Sequence, residues 1–228
     1  MMQVKQMKTD YLNIEAGTLD SAIEADNYAY ILRLLDSFTV SKMLAVNPRD
    51  GKYLQKLLSL GADIDSFVSD QQWVDAAKKF SNNVYAGYSH HPLESIENDE
   101  YDMVLVCEDM AYVDDVDAML QEYHRLLKPS GVLIGGIWNI SYASNIDSII
   151  AGESVKIESQ LCGTTLIPLD VLLQRLREIG FDRAEIHRFP GDRDDSELYA
   201  AISRNNENPV PPESFNTKIY FICAYKGC

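Results

Sequence analysis

The chain has 228 residues, 46% of them hydrophobic and 10% aromatic, enough to bury a sizeable core within the usual span of one domain. Thirty-five acidic against twenty basic residues give a formal charge of -15, which repels phosphate backbones and anionic membrane surfaces and argues against nucleic acid as a partner. Four irregularly spaced cysteines, Cys107, Cys162, Cys223 and Cys228, signal neither zinc nor a disulfide framework, and no apolar run approaches the roughly 18 residues of a membrane span. A soluble, cytoplasmic protein with free thiols is expected.

Residues 1–21 read as an N-terminal extension and residues 22–228 as one domain. The spacing of Ile23, Ala29, Tyr30, Ile31, Leu34 and Leu35 predicts a helix over Ala22 to Phe38, followed by a first strand at Met43 to Val46. Asn47-Pro-Arg-Asp-Gly51 is a turn, and the stripe Tyr53, Leu54, Leu57, Leu58 and Leu60 marks a helix stopped by Gly61. Ile64 to Val68 is a second strand. Ser69-Asp70 then caps a helix over Gln71 to Phe80, and Asn83 to Ala86 is a third strand.

Tyr101 to Cys107 is a nearly unbroken apolar run, as a parallel strand covered on both faces requires. A helix over Val113 to Leu127 ends at Lys128-Pro-Ser-Gly131, ahead of a strand at Val132 to Trp138. Asn139 to Leu166 is less regular. A helix over Pro168 to Ile179 is closed by Gly180, and strands follow at Arg183 to Phe189 and Lys218 to Tyr225. Pro209, Pro211 and Pro212 make Gly191 to Phe215 a loop between these last two strands. Strands alternating with helices imply an α/β fold with a parallel, doubly wound sheet. The final pair, lacking a helix between them, implies an antiparallel hairpin at one edge.

The segment Tyr101 to Ile134 resembles the central part of class I S-adenosylmethionine-dependent methyltransferases: an acid at the start of the strand, then Leu120, Glu122, Arg125, Leu126, Leu127, Lys128 and Pro129, then Gly131 before the next strand. The stretch Trp138 to Asn145, with Ala151-Gly-Glu153 and Leu172 to Phe181, is similar to a subgroup encoded beside glycosyltransferases in surface-polysaccharide clusters. The resemblance implies a Rossmann-like, seven-stranded sheet of order 3-2-1-4-5-7-6, consistent with the hairpin.

That family holds its cofactor on a glycine-rich turn after the first strand, where the backbone must approach the ligand closely. Of the three glycine positions only Gly51 is kept; Asn47 and Arg49 take the other two, and Pro48 removes an N–H. The acid that accepts from the ribose hydroxyls aligns with Val68, which accepts nothing, although Ser69 or Asp70 can replace it by one residue of slippage. The acid near the adenine amine aligns with Tyr88, which can stack on a base. The histidine common after the fourth strand aligns with Tyr112. Asn47, Arg49, Gly51, Ser69, Asp70, Tyr88 and Glu108 are therefore the candidate cofactor-binding positions. Arg49 is a candidate partner for a cofactor carboxylate, with a solvent-facing or space-filling role as its competitor.

Candidate catalytic groups are His91, from the pair His90-His91 in the loop after the third strand, and Glu108 and Asp109 at the end of the fourth. Asp109 is as well explained by capping the following helix. Trp138, Asn139, Tyr142 and Asn145 suit an acceptor pocket for a polyol, while Cys107 reads as a core thiol, His124 as a surface or packing residue and the acids between Glu97 and Asp117 as a solvated face. Two readings follow. One is methyl transfer from S-adenosylmethionine to a hydroxyl of a sugar-like or small-molecule acceptor; the alternative is a catalytically inactive binding or scaffolding protein with a protein partner.

Overall fold

A computed structural model describes residues 13–16, 27–49, 51–59, 61–87, 93–110, 115–152, 167–191, 196–204 and 211–228. In chain order these form β1 (Asn13–Ala16), α1 (Asn27–Asp36), β2 (Lys42–Val46), α2 (Lys52–Ser59), β3 (Asp63–Val68), a 3-10 turn (Gln71–Trp73) running into α3 (Val74–Ala77), and β4 (Val84–Ala86). Then come β5 (Tyr101–Asp109), α4 (Val116–Leu126), β6 (Leu127–Trp138), α5 (Ala143–Ile150), α6 (Leu169–Ile179), β7 (Phe181–Pro190), α7 (Ser196–Ser203), α8 (Pro212–Phe215) and β8 (Thr217–Lys226).

The strands make one sheet of order β1-β7-β8-β6-β5-β2-β3-β4. Seven of them, β2 through β8, reproduce the expected 3-2-1-4-5-7-6 arrangement: β2 is parallel to both β3 and β5, β5 to β6, and β8 runs antiparallel between β6 and β7. The eighth, β1, lies within residues 1–21, which were expected to be an extension, and pairs in parallel with β7, Asn13 opposite Arg183.

Alternation along the central strands divides the core. Leu44, Val46, Val104, Val106 and Leu133 face α4 and α6, where they meet Leu120, Tyr123 and Leu176. Met43, Ala45, Met103, Leu105 and Ile134 face α1 and α2, where they meet Leu34, Leu35, Leu54 and Leu57. Each fully buried aliphatic side chain contributes about 1.5 to 3 kcal/mol, so these two layers outweigh any single polar contact in fixing the sheet.

Four expectations need correction. β6 starts at Leu127 rather than Val132, because the chain pairs with Tyr101 immediately after α4 and absorbs Pro129 and Ser130 in a register shift before Val132 meets Met103. The stretch from Asn139 onward contains α5, and Gly191 to Phe215 contains α7 and α8. Leu198, Tyr199 and Ile202 lie on one face of α7 and pack with Ile146, Tyr142 and Phe215, an apolar spacing that the surrounding prolines and acids obscure. The helix expected up to Phe80 is only α3 after its 3-10 turn.

Candidate functional site

The carboxyl ends of β2, β3, β4 and β5 form the edge at which an open α/β sheet places ligands. The turn leaving β2 carries left-handed backbone at Asn47 (φ 50°), Arg49 (φ 47°) and Gly51 (φ 78°). Asparagine tolerates this region well, whereas arginine adopts it at a cost of about 1 kcal/mol. Gly51 is required twice over, since a Cβ there would also lie 2.7 Å from Cε2 of Phe80. The Gly51 N–H donates to the Pro48 carbonyl at 3.0 Å, and the Gly51 carbonyl accepts from Gln55 at 3.0 Å, tying the turn to α2.

The Asn47 side chain reaches across to the end of β3. Its Oδ1 accepts from the Ser69 N–H at 2.8 Å and from the Ser69 hydroxyl at 3.0 Å, while its backbone N–H donates to the Phe67 carbonyl at 2.8 Å. The strand ladder is thereby extended by one side-chain rung over the gap between β2 and β3. Arg49 is exposed.

At the end of β3, Val68 is buried in a small cluster with Val74 and Ala77, so the position aligned with the ribose acid is apolar and faces protein. Asp70 caps the 3-10 turn: its Oδ1 accepts from the Gln72 N–H at 3.0 Å, and its other oxygen accepts from the Gln72 amide. Ser69 and Asp70 thus both sit at the edge, each engaged with a neighbour.

Tyr88, His91 and Tyr112 lie outside the described residues. Glu108 and Asp109 are the last residues of β5, with Asp109 in register with Gly136 on β6. The Met110 N–H donates to the Gly136 carbonyl at 2.8 Å, and Met110 lies so close over Gly135 that a Cβ there would be 2.6 Å from its sulfur. That contact fixes the chain path just beyond the two acids.

Of the four residues expected to suit an acceptor pocket, Asn139, Tyr142 and Asn145 make contacts around α5 and α8, and Trp138 ends β6. Asn139 is buried; its Nδ2 donates to the carbonyls of Ser214 (2.6 Å) and Thr217 (2.7 Å), and its Oδ1 accepts from the Ser141 N–H (3.0 Å). Asn145 donates to the Asn139 carbonyl at 2.9 Å, Tyr142 is buried against Gly191, and Lys218 sits 5.3 Å from the Trp138 ring centroid.

Sequence reasoning assigned no role to Glu122 and Arg125 within the family-like motif. In the structure they pair through two hydrogen bonds, 2.6 and 3.0 Å, while Glu122 also accepts from the Leu93 N–H and Arg125 donates to the carbonyls of Leu93 and Ile96. Burial pulls the Glu122 carboxyl upward, but the bonds from Arg125 and Leu93 prevail and hold it below its ordinary value. The pair anchors residues 93–98 to α4 and so helps define the approach to β5. The spacing Glu-x-x-Arg on one helix face was the signal for it.

His124 and His187 are both held below the usual imidazole pKa by burial, His124 edge-on to Phe181. Among the described residues no cluster of three or more histidine, cysteine or acidic side chains is arranged to hold a metal, and no helix is long and apolar enough to cross a membrane.

Residues 44–135 match the family model described as a methyltransferase domain. No curated protein matches the chain. Solved structures share the fold: an S-adenosylmethionine-dependent methyltransferase of Archaeoglobus fulgidus has a TM-score of 0.63 at 16% identity, covering 87% of this chain and 92% of its own. One of Thermotoga maritima has a TM-score of 0.61 at 18% identity, covering 87% and 89%. The Haloferax volcanii complex of a methyltransferase with the Trm112 activator has a TM-score of 0.59 at 16% identity, covering 88% and 89%.

Proposed function

We propose that this chain belongs to the class I S-adenosylmethionine-dependent methyltransferase family and acts as a binding or scaffolding protein on that fold, not as a working methyltransferase. The observation that carries this reading is the Asn47 side chain lying across to Ser69, over the gap that the family keeps open with glycine. Three further facts support it. The ribose-acid position is the buried Val68, the neighbouring Asp70 carboxylate caps its own turn, and Asn139 and Asn145 hydrogen-bond within the protein.

S-adenosylmethionine held in the family's manner does not fit these residues. A ribose would meet no carboxylate at Val68, and reaching Asp70 would compete with the Gln72 N–H. Each unmade bond to a neutral partner costs about 0.5 to 1.5 kcal/mol, so several at one pocket move a micromolar site toward millimolar. The complex that the Haloferax methyltransferase makes with Trm112 is consistent with a protein partner for this fold.

One observation favours methyl transfer to a sugar-like hydroxyl, the second reading: the left-handed residues at 47, 49 and 51 keep a tight backbone path, and Arg49 is exposed and of the right charge for a cofactor carboxylate. Calorimetric titration separates the two. The binding-protein reading expects no saturable heat from S-adenosylmethionine or S-adenosylhomocysteine up to millimolar concentration; a micromolar Kd overturns it and favours the enzyme.

A further inference from the structure

We infer that the ligand edge between β2 and β3 is latched, the Asn47 amide being the latch that ties the end of β2 to Ser69. The inference rests on the non-catalytic reading above and adds which side chain keeps the cleft closed and how it can be reopened.

Two observations carry it. The backbone is left-handed at all three positions that the family fills with glycine, although only one of them is glycine here. Asn47 and Arg49 thus share the backbone region of Gly51 while carrying side chains that glycine lacks. The Asn47 side chain crosses the gap, its Oδ1 taking both the N–H and the hydroxyl of Ser69, 22 residues away. Arg49 is exposed.

The physical consequence is separable from the rest of the fold. The latch is made by one oxygen, and asparagine in the left-handed region can be exchanged for glycine without strain, since glycine populates that region freely. Asn47→Gly removes the rung while keeping the turn. Asn47→Asp keeps an acceptor oxygen at the same place, and aspartate also tolerates the conformation.

The test has a ligand-free arm and a ligand arm, run on the full chain. In the first, hydrogen exchange of the Ser69 amide is followed by NMR. The latch predicts that Asn47→Gly speeds this exchange about tenfold or more while Asn47→Asp leaves it within about twofold, with amides of β2 unchanged in both. Equal exchange in wild type and Asn47→Gly overturns the latch. In the second arm, S-adenosylhomocysteine is titrated into wild type, Asn47→Gly and the triple variant Asn47→Gly, Arg49→Gly, Val68→Asp. The expected result is no saturable binding to wild type, detectable binding to Asn47→Gly and at least a tenfold tighter Kd for the triple variant.

Failure of all three proteins to bind overturns the latched-edge inference and leaves the non-catalytic reading standing. Micromolar binding by wild type overturns both. Binding by the variants alone, together with faster Ser69 exchange, establishes the latch.

Discussion

The guanidinium of Arg125 grips the carboxylate of Glu122 from one turn away on α4, at 2.6 and 3.0 Å, and its remaining donors reach the carbonyls of Leu93 and Ile96 and the side chain of Asn98. A single helix face thereby holds the segment that leads into β5. Arg125→Ala leaves a largely buried carboxylate without its partner, an arrangement that costs about 3 kcal/mol in comparable settings. Urea unfolding should show a midpoint lowered accordingly. Arg125→Lys, which keeps the charge but not the fork, is expected to fall between. A loss under about 0.5 kcal/mol for the alanine variant contradicts the anchoring role.

Stability should fall on acidification in two stages. Burial lowers the pKa of His124 and His187, so the unfolded chain takes up protons there that the folded chain refuses; this contribution is complete above the ordinary imidazole value and is lost as pH falls from about 6.5. Glu122 and Asp102 sit below their ordinary values, Asp102 because bonds from Lys128 and the N–H groups of Ser41 and Lys42 outweigh its burial. Their contribution is present above the carboxylate range and is lost as pH drops below about 4.5. Urea midpoints at pH 7.5, 5.5 and 4 measure both stages. His124→Gln with His187→Gln should flatten the first and leave the second.

Gly51→Ala should destabilise by about 2 kcal/mol, combining a left-handed φ of 78° with a Cβ 2.7 Å from Phe80. Differential scanning calorimetry gives the answer directly. If Phe80→Ala in the same chain recovers part of the lost Tm, the clash term is confirmed; an unchanged Tm for Gly51→Ala itself counts against the turn geometry.

Thiol chemistry should separate the described cysteines. Cys223 is fully buried in β8, and burial pushes its thiol well above the ordinary value, whereas Cys228 is exposed beside Ser130. Iodoacetamide at neutral pH is expected to label Cys228 within minutes and Cys223 only on unfolding, as read by peptide mass spectrometry. Rapid labelling of Cys223 in the folded protein contradicts the packing of β8 between β6 and β7.

Most of the sheet was determined by the sequence itself. The apolar run from Tyr101 to Cys107 and the helix motif through Arg125 point to a parallel centre, because strand burial and crossover handedness leave few alternatives; the antiparallel end was expected from a lack of helix between the last two strands, and it is present although α7 and α8 lie between them. The resemblance also implied that Asn47 and Arg49 stand at glycine positions and Val68 at an acid position. Sequence could not tell what Ser69 and Asp70 touch: both read as replacements by slippage, and in the structure one is bonded to Asn47 and the other caps its own turn.

The same limit applied beyond the edge. β1 on the outside of β7, and the α5, α7 and α8 packing around Tyr142 and Phe215, arise from contacts between residues far apart in the chain, which no local periodicity encodes. Local chemistry thus determined seven of the strands and their order. Only tertiary structure decided that the Asn47 oxygen meets Ser69, because that hydrogen bond exists solely where the ends of two parallel strands are brought side by side.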